Sequence, residues 1–462
     1  MNLFYSFLLF VLFFVLLCNC AFPESSVGIG HSLMVEAPLE YRIGFTVGGF
    51  LLENDQTVPK YRVALTIEAI NAKFACSLLV FLGDVKVWDS GHYSKFYVTG
   101  KCLLEFTMDG DLRLKGPNGT VGWKTGTSGQ GVKNLQILRT GNLVLVDELN
   151  NVKWQSFNFP TDVMLRGQQL DVATRLTSLR SNSTLFYSFE IENNKVSLYV
   201  NSGKLRYSYW NFQPTMNRTI TYIKLSSKGL LLFDVKYKKI AQIPSQSVHP
   251  LKFLALKNET GNFGLYYYSQ EKGKFEASFQ ALNRTCDLPN SCKPYGICTF
   301  SNTCSCIQIL TNDKKSSTSA DCSEGFSRGF CGGEKAEMLE IDNVSSVLKG
   351  VPEMVNISRE SCSSLCLEDC KCTAALYFTN ASVGAAECYL YRLVLGLKQV
   401  DKGLGFSYMV KVRKGIGRNR EMQNVKRWIL VVVGVFDGFI VMILVGGFGY
   451  WLFKRRSDGL NS

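Results

Sequence analysis

Along most of this chain apolar and polar positions trade places every residue or two, and helical spacing is scarce. Leu103–Met108 alternates into Asp109-Gly110, after which Leu112 and Leu114 alternate with Arg113 and Lys115. Gly141-Asn142 opens the run Leu143-Val144-Leu145-Val146. Period-two runs bounded by Gly, Asn and Asp predict strands joined by tight hairpins.

Two stretches break this pattern. Residues 2–17 are nearly all apolar, with Asn2 and Ser6 as exceptions. This predicts a secretory signal peptide over 1–21, cut after Ala21 or, as a rival, Cys20. No Lys or Arg precedes the run. An N-terminal anchor is the alternative, although a span needs about 20 apolar residues. From Trp428 to Phe453 the chain is apolar with one charge, Asp437. At about 1.5 Å rise per residue that length crosses a hydrocarbon core of about 30 Å, so 428–453 is expected to be a single transmembrane helix. Trp428, Tyr450 and Trp451 stand near its ends, and Lys454, Arg455 and Arg456 begin an expected cytoplasmic tail, 454–462. The other flank is also basic, with Lys411, Arg413, Lys414, Arg418, Arg420, Lys426 and Arg427 around a linker at 415–427. Charge alone therefore does not orient the helix. The signal peptide does, and it predicts a type I plasma-membrane protein with its ectodomain extracellular.

Trp88-Asp-Ser90, Trp123-Lys-Thr125 and Trp154-Gln-Ser156 recur at similar spacing, each after a turn-prone stretch. Three sheets around a pseudo-threefold axis are expected, with the Trp residues as their shared core, because one sheet alone cannot bury its apolar face. The alternative is exposed Trp stacking on sugar rings.

Of 16 Cys, Cys18 and Cys20 leave with the signal, and the other 14 fall into groups of two, six and six. Such grouping predicts disulfide-stapled modules in an oxidising compartment. The close pairs are C-x-C (Cys304/Cys306 and Cys370/Cys372) and every His is remote, so neither metal nor cofactor is expected. Sequons at Asn118, Asn182, Asn217, Asn258, Asn283, Asn343, Asn356 and Asn380 predict a glycoprotein. The net charge of +13 would suit an anionic partner, but an extracellular chain argues against nucleic acid. Ten of the basic residues flank the span. The others read as a solvated face or as attraction to acidic wall polymer. No G-x-S-x-G or H-E-x-x-H occurs, and His31, His92 and His249 are the only histidines, so no enzyme is expected.

Three further runs carry a family resemblance. Arg139-Thr-Gly-Asn-Leu-Val-Leu-Val-Asp147, Trp154-Gln-Ser-Phe-Asn-Phe-Pro-Thr-Asp162 and Leu165-Arg-Gly-Gln-Gln-Leu170 together resemble the bulb-type (G-type) lectin domain of plant S-locus glycoproteins and S-receptor-like proteins. The match is specific over 100–170 and looser over 25–100. Phe186-Tyr-Ser-Phe189 and Tyr209-Trp210 resemble that group's second β domain. Cys286 to Cys322 is similar to an EGF-like module, which implies Cys286–Cys298, Cys292–Cys304 and Cys306–Cys322. Cys362-x3-Cys366-x3-Cys370-Lys-Cys372, followed by Cys388, resembles a PAN/Apple domain, which implies Cys362–Cys388 and Cys366–Cys372. Cys331 and Cys370 remain as a pair, as do Cys76 and Cys102. Ser361–Cys370 is expected to be helical, with its three Cys on one face.

The resemblance implies a mainly β chain: a bulb-type lectin domain (22–170) and a second lectin-like domain (171–280) as tandem β-prisms, an EGF-like module (281–325), a small α+β PAN/Apple domain (326–414) and the membrane helix. It departs from the group's receptors in lacking a kinase. Mannose-binding members carry Q-x-D-x-N-x-V-x-Y in each sheet. Two series align here: Thr107, Asp109, Asp111, Arg113, Lys115 and Leu138, Thr140, Asn142, Val144, Val146. Gln and Tyr are lost from both, so Asp109, Asp111 and Asn142 are remnants of degenerate carbohydrate sites, and no mannose binding is expected. Asp109 and Asn142 are expected as turn residues. In the span, Gly434, Asp437 and Gly438 form a G-x-x-x-G match with an intramembrane acid, which suits helix association. The alternative is a protonated or snorkelling Asp with chance glycines. The expected role is a recognition protein or co-receptor, working through a receptor kinase partner or a homodimer made by the ectodomain or the span. A true lectin with a glycan ligand, or a wall–membrane tether, are the alternatives.

Overall fold

The computed structural model describes residues 26–413, except 39, 41, 71–72, 179–184, 216–217, 308–321, 323–335 and 380–384, together with 442–443 and 445–449. The expected signal peptide, linker, tail and most of the span, with Gly434, Asp437 and Gly438, lie outside these residues. So do Asn182, Asn217, Asn380 and Cys331. Among the described residues no helix is long and apolar enough to cross a membrane. The chain divides into two units, 1–284 and 285–462.

The first unit opens with β1 (Ser26–Gly28), β2 (Ser32–Glu36), β3 (Thr46–Asn54), β4 (Tyr61–Ile70), β5 (Lys73–Leu82), β6 (Val85–Asp89) and β7 (Phe96–Val98). It continues with β8 (Lys101–Phe106), β9 (Leu112–Lys115), β10 (Val121–Lys124), β11 (Val132–Ile137), β12 (Leu143–Asp147) and β13 (Val152–Gln155). These strands form three antiparallel sheets, β3-β4-β5-β6 (with β7 on β5), β10-β9-β8-β2 and β1-β11-β12-β13. Alternation decides which face is buried. Leu104, Phe106, Leu112 and Leu114 point inward, while Glu105, Arg113 and Lys115 lie on the other face.

The last strand of each sheet delivers one Trp to the centre. Trp88, Trp123 and Trp154 meet edge to face, with centroids 6.2, 5.9 and 5.9 Å apart. They form the core trio the repeat implies, not a sugar-stacking surface. Two residues after each Trp a hydroxyl accepts a main-chain N–H from the strand two back. Leu78 donates to Ser90 at 2.9 Å, Leu112 to Thr125 at 3.1 Å and Leu143 to Ser156 at 3.0 Å. The repeated Trp-x-Ser/Thr is therefore one device, a core ring followed by a hydroxyl that fixes the strand's register. Cys76–Cys102 joins the first sheet to the second. Gly141 is needed where it stands: its φ is 80°, and a Cβ there would lie 2.3 Å from Tyr61 and 2.7 Å from Leu165.

A second three-sheet module follows. Its strands are β14 (Val163–Leu165), β15 (Gln169–Asp171), β16 (Leu176–Thr177), β17 (Leu185–Ile191), β18 (Val196–Ser202) and β19 (Leu205–Phe212). Then come β20 (Tyr222–Ser226), β21 (Gly229–Phe233), β22 (Lys239–Pro244), β23 (Leu251–Leu256), β24 (Phe263–Ser269) and β25 (Lys274–Gln280). The sheets are β16-β17-β18-β19, β15-β20-β21-β22 and β14-β23-β24-β25. Both modules share one plan. Three opening strands are dealt out to the third, second and first sheets in turn. The pairing places Leu165 and Leu170 in the second module, ahead of the boundary expected at 170/171. Three-residue strands carry no readable period, and so the sequence hid this. In the core Trp210 and Phe279 flank Phe263, with centroids 5.9 and 6.2 Å from it. One apolar cluster runs from the Trp trio into Val163, Leu165 and Phe253.

In the second unit, strands β26 (Gly296–Cys298), β27 (Cys304–Cys306), β28 (Ala336–Asp342), β29 (Val344–Ser346), β30 (Met354–Val355), β31 (Ala374–Thr379), β32 (Ala386–Tyr391), β33 (Leu397–Gln399) and β34 (Phe406–Arg413) form two sheets, β27-β26-β33-β29 and β28-β34-β31-β32-β30. Disulfides join Cys286–Cys298, Cys292–Cys304, Cys306–Cys322, Cys362–Cys388 and Cys366–Cys372, the pairs the resemblance implies. Cys370 is also disulfide-bonded.

The helix spans Arg359–Glu368, earlier than expected. Ser358 caps it by accepting the N–H of Ser361 at 3.1 Å. Asp369 ends it and takes the N–H of Lys371 at 2.8 Å, leaving Cys370 in the turn, off the face that buries Cys362 and Cys366. Lys411 is no juxtamembrane charge. Its side chain is buried against the helix end, donating to the carbonyls of Asp369 (2.9 Å) and Leu367 (3.4 Å).

Trp154→Ala removes the ring that touches Trp88, Trp123 and Phe159. It is expected to destabilise the first unit by about 3–5 kcal/mol, measured by urea unfolding of the full chain. A loss of under ~1 kcal/mol would show that the trio is not central.

Candidate functional site

On the outer face of each sheet of the first module, one strand and the turn before it form a row of alternate positions. The register extends the two aligned rows to a third. Leu114 opposes Trp123, Leu145 opposes Trp154 and Val80 opposes Trp88. The first sheet's row is therefore Lys73, Ala75, Ser77, Leu79 and Phe81. Sequence reading missed it because β5 is a long unbroken strand with no Asp-Gly or Gly-Asn turn at its start. The signal was Ser90, two residues after Trp88.

In the second sheet, Asp111 is held from all sides. Its carboxylate accepts from Arg113 Nε (2.9 Å), Thr125 Oγ1 (2.9 Å) and the N–H groups of Gly126 (2.7 Å) and Thr127 (3.1 Å), with its side chain 2% exposed. Burial pushes this carboxyl up. The Arg113 guanidinium, the Thr125 hydroxyl and the two N–H groups outweigh it and hold the pKa below its ordinary 3.8. Asp109 lies at the turn, as expected, and takes hydroxyl hydrogen bonds from Ser128 and Thr107, with Arg113 3.8 Å away. The Ser128 and Thr107 hydroxyls hold its carboxyl below the ordinary value. Lys115 turns away to Glu105 at 2.5 Å.

In the third sheet, Asn142 closes the turn, its carbonyl accepting the Leu138 N–H at 3.0 Å, and its side chain is a buried strut. Its Nδ2 donates to Gln155 at 2.8 Å, and its Oδ1 accepts from Ser156 Oγ and the Phe157 N–H, both at 3.2 Å. Val144 and Val146 are buried beside it. In the first sheet Asp89, next to Trp88, is buried between Lys86 (3.1 Å) and Lys95 (3.9 Å) and accepts the Gly91 N–H at 2.7 Å. Burial opposes its charge, but Lys86, Lys95 and that N–H together hold its pKa below the ordinary 3.8. In the two aligned rows Asp109, Asp111 and Asn142 are engaged in holding turns and strand ends. A hydroxyl-rich ligand would have to break those bonds first.

Elsewhere, Asn118, Asn283 and Asn356 are exposed sequons, while Asn258 and Asn343 are half-buried. Asn258 Nδ2 donates to Asp162 at 3.2 Å. Asn343 lines an open cleft of about 580 Å³ in the second unit, with Arg359, Tyr377 and Phe406. Among the described residues no cluster of His, Cys, Asp and Glu could hold a metal ion.

Asp111's lowered pKa sets an acid limb. Its stabilisation is fully present above pH 3.8 and is lost as the pH falls through the lower folded-state value. Asp111→Asn should reduce stability at pH 7 by about 1–3 kcal/mol and narrow the difference between pH 7 and pH 3 in urea unfolding. An unchanged difference would show that Asp111 does not drive that limb.

Residues 98–185 match the family described as D-mannose binding lectin. A PAN domain-containing protein of Arabidopsis thaliana is 26% identical over 76% of this chain and 72% of its own length. Two G-type lectin S-receptor-like serine/threonine-protein kinases of the same plant are 23% and 25% identical over 86% and 80% of this chain. The chain spans about half the length of those kinases, 49% and 48%. A monomeric monocot mannose-binding lectin from Gastrodia elata is 24% identical over 29% of this chain and 96% of its own, with a TM-score of 0.20, too low to carry an argument. The lectin match over 98–185, with relatives of both kinds along the chain, supports a bulb-type lectin/S-locus family protein.

Proposed function

We propose that this chain is a non-catalytic cell-surface recognition glycoprotein or co-receptor that has given up mannose binding. The observation that carries this is the use of Asp111 and Asn142 inside the fold. Asn142 survives from the mannose pattern and Asp111 stands at its Asn position, and both spend their hydrogen-bonding capacity on Arg113, Thr125, Gln155 and Ser156. In this reading residues 1–21 are a cleaved signal and 428–453 a single membrane span. The second unit supplies an EGF-like module (281–325) and a PAN/Apple domain (326–414) for protein contacts. Asp437, with Gly434 and Gly438, would join the span to a receptor kinase or to a second copy. The similarity to receptor-kinase ectodomains supports an extracellular ligand-recognition role.

A glycan array carrying mannose ligands, probed with the full-length chain, tests this. No mannose binding tighter than about 1 mM is expected. Saturable mannose binding, competed by free methyl mannoside and lost in Asn142→Ala, would overturn the reading and make this a working mannose lectin.

A further inference from the structure

Five hairpins of the first unit share one build, and one of them carries an unexpected residue. In the hairpin β9–β10, Gly116 donates its N–H to Thr120 and accepts from Gly119. In β12–β13, Asp147 donates to Asn151 and accepts from Asn150. In β21–β22, Asp234 donates to Lys238 and accepts from Tyr237. The accepted residue is left-handed in each: φ is 72° at Gly119, 60° at Asn150 and 58° at Tyr237. Gly and Asn take that conformation at low cost, whereas a bulky side chain is strained there.

The turn does not need a tyrosine. The Asp234 carboxylate accepts the N–H groups of Lys236 and Lys238, both at 2.9 Å, as Asp147 accepts those of Leu149 and Asn151 at 2.9 and 2.8 Å. Nor does burial compensate, because Tyr237 is 76% exposed.

The strain does place a ring at one end of an aromatic row. Tyr237 lies 5.8 Å from Tyr222, which stacks on Phe233 at 4.7 Å and 5°. Around the row, Lys224, Lys236 and Lys238 are exposed and form no ion pair among the described residues. The nearby carboxylates are engaged. Asp234 pairs with Arg218 at 3.4 Å, and Asp171 accepts from the Ala173 N–H (3.0 Å) and Thr174 Oγ1 (3.1 Å).

We propose that this hairpin binds an acidic polysaccharide of the uronic-acid class. The apolar face of a pyranose ring would stack on Tyr237, and the carboxylates along the polymer would meet Lys224, Lys236 and Lys238. A membrane surface fits less well. The tip offers a phenol and a single Val235, where an interfacial segment presents a broad apolar face. This names a ligand class for the recognition role proposed above and rests on that reading only for its extracellular setting.

The test uses the full-length chain with chelator present. The probes are polygalacturonate, its fully methyl-esterified form, dextran sulfate and phosphatidylserine vesicles. Wild type is expected to bind polygalacturonate, with the ester roughly tenfold weaker. Tyr237→Asn, which installs the residue found in the sister hairpin, should weaken binding roughly tenfold while leaving the melting temperature unchanged or raised. Lys236→Gln with Lys238→Gln should weaken binding and flatten its salt dependence. Unchanged affinity in Tyr237→Asn, equal binding of the ester, or preference for dextran sulfate or the vesicles would each overturn the proposal. The outcome is separable from the mannose experiment, because none of these residues belongs to the rows of the first module.

Discussion

Three indoles packed edge to face, one from the last strand of each sheet, hold the first module together. Each sheet has one apolar face and none can bury it alone. The rings fill the space where the three faces converge, and their quadrupoles favour the near-perpendicular contacts observed. The hydroxyl two residues after each ring then ties a main-chain N–H of the neighbouring strand to the same hairpin. Packing and register thus come from a single short motif used three times. The second module keeps the plan with different rings, with Phe263 between Trp210 and Phe279.

The same device bears on the candidate site. The motif hydroxyls of Thr125 and Ser156 donate to Asp111 and Asn142, the two residues most like sugar-binding groups. These side chains stand so near the core that their hydrogen-bonding capacity is spent on strand ends. What is left on the outer face is charge held in local pairs, such as Arg113 with Asp111 and Lys115 with Glu105. Exposed chemistry stands in the second module, where Tyr237 shares one turn with Lys236 and Lys238.

Much of this was legible in the sequence. The Trp spacing announced three sheets, the Asp-Gly and Gly-Asn turns marked two of the three rows, and cysteine spacing marked the second unit. What escaped was set by distance in the fold. The row from Lys73 to Phe81 lies in a continuous strand without turn residues. Asn142 follows a glycine and reads as a turn, yet tertiary contacts bury its side chain. The helix began earlier than its cysteines suggested because Ser358 caps it, and Lys411 found two helix-end carbonyls instead of a membrane flank. Tyr237 could have been noticed by setting Asp234-Val-Lys-Tyr237 beside Asp147-Glu-Leu-Asn150, but only the backbone angles show that the two are equivalent.

The opening strands of each module reach the third sheet first, then the second, then the first. A ribosome releases the chain in the opposite sense. In the second module β16 meets its partner β17 soon after synthesis and β15 must wait for β20, while β14 finds β23 only when the last sheet emerges. The earliest strand is thus the last to be paired, and closing that longest loop sets the pace of the module. Until then β14 itself stays unpaired, while the neighbouring module has already been made. In such a chain the order of synthesis runs against the order of closure, and β14 goes without a partner for as long as the two disagree.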